Sequence, residues 1–431
     1  MSAEAPATRP GVIWLQRAAT VAVLASLVLL AREAARHSID FPVYHRAAQQ
    51  ILAGNYELYP PEAYGGQPHP SQGFRYAPAI AFLFLPLGLF SLETAALLFY
   101  CVKLLVLWWI GATITRRVGS TDWGRGAFLV SFLVVGGYLV EELRFGNAHL
   151  LVVALMVLAY DRAESGKVVT PAAALALAIA TKLTPLALLA YFAVRRRTAL
   201  CVTTVGFLAA LVVLPAVAMG TSGNTRQLRA FATYAMEKVD EGDNYSLRGI
   251  VVRYLTPGLE DSSHIRANVA DLPMSTVNAV WLVGLFGLGL AVLAAIWRED
   301  DDPVVRLLEF SVVMTSIVLA SPHTQRRYYV ALIVPVVALR ALWSRRSPAI
   351  ERRHIVVGLL ATVGPATVLP LVFGGHRLAL LYEACSPYTF GALVLFGVLV
   401  AMTIHRKTSH APAPSSAESA TVGNFSAKIG V

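Results

Sequence analysis

Asp40 stands just past the first long apolar run, in Ser38-Ile39-Asp40-Phe41-Pro42-Val43-Tyr44, and opens a polar stretch that closes at Phe74-Arg75-Tyr76-Ala77-Pro78. A carboxylate at the rim of an apolar slab is well placed to take a proton from a hydroxyl. Asp ahead of a proline-led amphipathic segment is also a good helix N-cap, and one residue can do both. Lys182 is the second feature with chemical meaning. It interrupts the apolar runs 173–181 and 183–194, where a cation must snorkel or pair. Glu141 and Glu142 suggest a paired-carboxylate site, yet adjacent residues on a helix diverge in direction, so a solvated helix end is the expectation. Glu299-Asp300-Asp301-Asp302 reads as a solvated acidic loop.

These residues sit in a chain built for lipid. Hydrophobic types make up 56% of its 431 residues and charged types 14%, and many runs approach the ~20 residues that cross a bilayer. Only helices and closed barrels satisfy the backbone in hydrocarbon, and the alternation of a barrel is absent, so the expected fold is all-α and polytopic. The candidate spans are 12–30, 93–115, 126–140, 148–160, 168–181, 183–194, 199–219, 275–297, 304–320, 328–343, 354–373 and 388–404. The run 77–90, bracketed by Pro78 and Pro86, is too short and is expected to be re-entrant or juxtamembrane. That gives about twelve crossings. With both termini cytoplasmic, Arg116-Arg117, Arg195-Arg196-Arg197 and the series Arg340 to Arg353 all fall inside, as the retention of cations demands. Thirteen crossings would move several of these clusters outside.

The same topology collects five polar segments on the opposite, extracytoplasmic face. They are the loop 31–91 that carries Asp40, the turn Glu141-Glu142-Leu143-Arg144-Phe145-Gly146-Asn147-Ala148-His149, the junction Thr181-Lys182-Leu183-Thr184-Pro185, the long loop 220–274, and the turn Ser321-Pro322-His323-Thr324-Gln325-Arg326-Arg327-Tyr328-Tyr329. One membrane domain is expected over 1–406, with a disordered cytoplasmic tail at 407–431. The net charge of +10 is spread in short clusters between spans, which argues for topology signals and against nucleic acid. Cys101, Cys201 and Cys385 lie in apolar runs as small hydrophobes. No metal is expected, because the His residues are scattered and the first loop has no Asp-x-Asp.

Asp40 followed by Val43-Tyr44, Ala47-Ala48, Leu52-Ala53-Gly54, Leu58-Tyr59 and Phe74-Arg75-Tyr76-Ala77-Pro78 resembles the polyprenyl-phosphate-mannose-dependent mannosyltransferases of actinobacterial type, within the C-type membrane glycosyltransferases. Phe145-Gly146-Asn147 through His149 is similar to that family's Gly-Gln-x-Asn segment, without the Gln. Lys182-Leu183-Thr184-Pro185 is similar to its Lys-Leu-x-Pro, and Asn244-Tyr245-Ser246-Leu247-Arg248-Gly249 to a later loop. The likeness covers roughly the first 250 residues, and beyond them only the hydropathy follows.

The resemblance implies a C-type glycosyltransferase fold and inverting transfer of a hexose, mannose foremost. The donor would be a polyprenyl-phosphate sugar and the acceptor a hydroxyl of an extracytoplasmic glycolipid or glycan. Asp40 would be the catalytic base. Lys182, Arg75, Arg248, Arg326 and Arg327 would meet the donor phosphate, since cations stabilise the departing oxyanion. Tyr44, Tyr76, Asn147, His149, Asn244 and His323 would meet the sugar or acceptor. No cofactor is implied beyond the lipid-linked donor; the partners are the bilayer, donor and acceptor, and the setting is the plasma (inner) membrane. Two other readings stay open: a transporter or flippase of a lipid-linked sugar, for which related halves would be expected, and a glycan ligase or polymerase that leans on a late Arg/His turn such as Arg326-Arg327.

Overall fold

A computed structural model describes residues 10–61, 73–120, 123–235, 244–257, 267–345, 348–368 and 381–409. Among these the structure is helical throughout, with no strand. In chain order the helices are α1 (Pro10–His37), α2 (Phe41–Leu52), α3 (Pro78–Leu83), α4 (Leu85–Gly88), α5 (Leu92–Arg117), α6 (Arg125–Val134), α7 (Gly136–Phe145), α8 (His149–Glu164) and α9 (Val169–Thr181). They continue as α10 (Leu186–Val194), α11 (Thr198–Val213), α12 (Ala216–Ala235), α13 (Leu247–Leu255), α14 (Met274–Ile296), α15 (Pro303–Ala320), α16 (Ile333–Ser344), α17 (Ala349–Val363) and α18 (Pro387–Ser409). A 3₁₀ turn, Arg326–Leu332, leads into α16.

The all-α, multi-pass reading holds, but the spans are less regular than expected. Among the described residues five helices are long and apolar enough to cross a membrane singly, and up to seven spans result if each sharply bent pair counts as one. The expected span 126–140 is broken at Val135 and turns by 85° from α6 into α7, while α11 turns by 84° into α12. Pro215, which has no N–H to donate, stands at the second bend. The expected crossing 183–194 shrinks to α10, whose nine residues rise only ~14 Å. A break at Lys182–Pro185 separates it from α9, and Lys182 is extended there (φ −150°, ψ 134°).

Most of the apolar core forms one cluster drawn from α5 to α9, α15, α16 and α18. A second, smaller cluster joins α2, α3, the start of α5 and α12. α2 belongs there because Phe41, Tyr44, His45, Ala48 and Ile51 recur at helical spacing and are all buried. At one end of the bundle ion pairs tie the helices together: Arg117 to Asp161 at 2.7 Å, Arg306 to Glu164 at 2.9 Å, Arg406 to Glu351 at 2.8 Å and Lys407 to Glu309 at 2.5 Å. α18 therefore runs on through Ser409, so residues 407–409 of the expected disordered tail are helical, and 410–431 lie outside the described residues. The acidic run at 299–302 is likewise employed: Asp302 caps α15 through the Val304 N–H at 2.9 Å. Helices α12 and α13 occupy much of the expected loop 220–274.

Candidate active site

The polar islands meet at the end of the bundle opposite those ion pairs. The turn after α7 is the hub. Gly146 takes φ +68°, and a Cβ there would stand 2.6 Å from the Cβ of Phe41, so only glycine lets the turn close on the start of α2. The Asp40 N–H then donates to the Phe145 carbonyl at 2.9 Å. Asn147 next reaches in two directions. Its side-chain oxygen accepts from the His149 N–H at 2.8 Å, serving an orphan donor at the head of α8, and its Nδ2 donates to Asp40 Oδ2 at 2.9 Å.

Asp40 occupies the N-cap position of α2, but its side chain makes no capping hydrogen bond. The carboxylate turns instead to Asn147 and to Arg327, whose Nε lies 3.2 Å from the same Oδ2. Both side chains of this ion pair are mostly buried, with 12% of Asp40 and 15% of Arg327 exposed. Among the described residues both contacts fall on Oδ2 and none on Oδ1. Arg327 comes from the 3₁₀ turn and lies against the rings of Phe145 and Tyr328, at 5.2 and 5.6 Å.

Beside this group opens a cavity of ≈ 890 Å³. Its polar end is formed by Arg75, Tyr76, Asn147, His149, Lys182 and Tyr328. The remaining wall is apolar and comes chiefly from α11 and α12, through Val205, Leu208, Leu211, Val212, Leu228 and Phe231. Lys182 projects its ammonium 3.0 Å above the centre of the Tyr328 ring. Burial, with Arg327 nearby, lowers its pKa to about 7. His149 is buried, and its ring stands 4.9 Å from that of Tyr328. Arg75 is exposed at the mouth and stacks on Tyr234 at 4.6 Å.

The structure thus gathers Arg75, Tyr76, Asn147, His149 and Lys182 around the cavity from distant parts of the chain, with Asp40 and Arg327 joined to it through Asn147 and Tyr328 without lining it themselves. It does not gather the rest. Tyr44 is fully buried, stacked on Phe84 at 4.7 Å with its hydroxyl 2.7 Å from that of Tyr76, so it supports Tyr76 and offers no ring face to a sugar. Asn244 is fully buried too: it donates to the Pro322 carbonyl at 2.9 Å and accepts from the Thr324 N–H at 3.0 Å, pinning the late turn. Arg326 is taken up by Glu141 at 2.9 Å and Glu383 at 3.1 Å. Arg248 packs over Trp281 at 5.9 Å, and neither it nor His323 lines the cavity.

The expectation for Glu141 and Glu142 fails, because Glu141 pairs with Arg326 and Glu142 is completely buried against Lys103 at 3.2 Å. Lys103 itself is a residue that sequence reasoning passes over, though a lysine inside an apolar span is the signal that finds it. Among the described residues no group of His, Cys, Asp or Glu is arranged to hold a metal ion.

A family model, Glycosyltransferase family 87, matches residues 74–322 of the chain. Among solved structures, that of ArnT from Cupriavidus metallidurans in the apo state is similar over 92% of this chain and 78% of that one, at 17% identity and a TM-score of 0.42. No curated protein matches.

Proposed function

Because the chain belongs to Glycosyltransferase family 87, matched over residues 74–322, and crosses the membrane several times, we propose that it moves a hexose, mannose foremost, from a polyprenyl-phosphate donor to a hydroxyl of an extracytoplasmic glycolipid or glycan. The observation that carries this reading is the division of the cavity: one polar end with Lys182 and Arg75, and one apolar wall from α11 and α12. An anionic head with a hydrocarbon tail fits such a division, the phosphate among the cations and the isoprenoid along the helices.

In the proposed reaction Asp40, held by Asn147 and Arg327 through Oδ2, receives the acceptor proton on Oδ1. The freed oxygen attacks the anomeric carbon from the face opposite the phosphate, the bond from that carbon to the phosphate oxygen breaks, and the configuration inverts. Lys182 and Arg75 stabilise the oxyanion that leaves as polyprenyl phosphate. His149 and Tyr76 face the space left for the sugar, and the chain's own cations make a metal unnecessary. The C-type fold suggested by the loop motifs belongs to this proposal. So does the plasma membrane setting, with Arg195-Arg196-Arg197 and the other basic clusters inside and the cavity outside.

Purified protein incubated with radiolabelled polyprenyl-phosphate mannose and a membrane lipid extract should yield a labelled lipid or glycan, and the Asp40→Asn variant should not. Movement of the intact donor across proteoliposomes without transfer would favour a transporter and overturn the proposal. Transfer only from diphosphate-linked donors would favour a ligase.

A further inference from the structure

Lys103 sits in mid-course of α5, with no exposed surface, and has exchanged water for three oxygens of a single strip of chain. Its ammonium donates to the main-chain carbonyls of Glu142 and of Asn147, the latter at 2.9 Å, and pairs with the Glu142 carboxylate at 3.2 Å. The Glu142 Oε1 accepts in turn from the Leu150 N–H at 3.0 Å, in the first turn of α8. One cation and one anion therefore clamp the end of α7 and the start of α8 from below, on either side of the turn whose Asn147 holds Asp40 from above.

A buried ion pair is a weak source of stability, since the loss of hydration largely offsets the attraction. A stable junction here needs only apolar side chains of the kind that make up the surrounding core. What the pair supplies instead is location. The carbonyl of Asn147 cannot shift without leaving Lys103, and the side chain of Asn147 cannot shift without moving the Asp40 carboxylate. We infer that Lys103 and Glu142 are positioning residues for glycosyl transfer, setting the place of Asp40 through the Asn147 turn while touching neither donor nor acceptor. The inference rests on the reading of Asp40 as the base.

Removing Lys103 alone strands a buried carboxylate and threatens folding, so the decisive variant is the neutral pair Lys103→Met with Glu142→Gln, in which the amide oxygen still serves the Leu150 N–H. The full-length protein in detergent is assayed with polyprenyl-phosphate mannose and the lipid extract, and hydrogen–deuterium exchange is followed in parallel. The expected result is a fall in kcat of about 10²-fold, the scale of an ångström's misplacement of a reacting group, with donor KM changed less than ~2-fold. Exchange should rise in the peptide 145–151 and stay unchanged in α9 and α15. Lys103→Arg should recover part of kcat, and serves as the test variant should the neutral pair not fold.

Wild-type kcat and exchange in a folded variant would overturn the inference. So would a loss confined to KM, or faster exchange spread over the whole bundle. Absence of transfer by the wild-type protein would sink the functional proposal instead, while the exchange pattern still decides whether Lys103 fixes the turn.

Discussion

Replacing Asp40 by Asn is the most informative single perturbation, because the structure separates its effects. The change leaves an oxygen to accept from Asn147 Nδ2 and loses no helix cap, since Asp40 makes no capping bond. What disappears is the negative charge, and with it the proposed base and the partner of Arg327 at 3.2 Å. At an effective dielectric of about 20 that attraction is roughly 5 kcal/mol before desolvation is subtracted. Breaking a mostly buried pair destabilises by about 3 to 5 kcal/mol, and the low end applies because Arg327 keeps the rings of Phe145 and Tyr328. Loss of a general base slows the chemical step by ~10²- to 10⁴-fold, equal to about 3 to 5.5 kcal/mol in the barrier. The two quantities are similar in size but are read on different axes. Thermal unfolding of purified protein measures the first, and single-turnover transfer per folded molecule, at saturating donor, measures the second. Donor binding should stay near wild type, since the base acts on the acceptor. Folded Asp40→Asn protein that turns over within ~3-fold of wild type would refute the assignment.

Other outcomes follow from the same geometry. Because Lys182 has its pKa lowered to about 7, binding an anionic phosphate requires it to be protonated; affinity for a polyprenyl-phosphate-sugar analogue should be full below that pH and weaken above it. Isothermal titration across pH 6 to 9 should show the decline in the wild type, a flat profile in Lys182→Arg and weak binding throughout in Lys182→Ala; a flat wild-type profile would remove Lys182 from the phosphate site. Gly146→Ala, forced into φ +68° and against Phe41, should lower stability by about 1 to 3 kcal/mol and reduce kcat more than KM, measured by unfolding and steady-state transfer. With Cys101, Cys201 and Cys385 changed to Ser, a cysteine at Thr225 should react with an impermeant thiol reagent added outside cells and one at Thr408 should not; the reverse would invert the orientation.

Much of the site can be read along the chain, and the exceptions have physical causes. Asp40 and Asn147 are 107 positions apart, yet both stand at polar breaks between apolar runs, where a pairing partner is to be expected. Arg326 and Arg327 look equivalent in sequence. They diverge because consecutive residues of a 3₁₀ turn point about a third of a revolution apart, which sends one to Glu141 and Glu383 and the other to Asp40. The same divergence separates Glu141 from Glu142. Tyr44 and Asn244 have the right chemistry for a sugar, but burial is a property of the packed fold and not of the local string. Fewer of the described helices pass singly as full crossings than the apolar runs suggest, because hydropathy records how apolar a run is, and not whether it bends, as α6 does into α7 and α11 into α12.

The bend between α11 and α12 has one more consequence. Val202 and Val205 along α11 and Val213, Leu214 and Val217 at the elbow are all more than half exposed, and Val205 also lines the cavity, so an apolar surface fit for hydrocarbon runs beside this flank of it. In the proposed reaction a donor with a lipid tail would reach it by gliding within the membrane leaflet, a search in two dimensions instead of three. Isoprene units of such a donor beyond the elbow would lie among the lipids. Donors of different tail length should therefore be handled alike, whereas a water-soluble nucleotide sugar, lacking a tail to bring it to that doorway, would have to enter by another route.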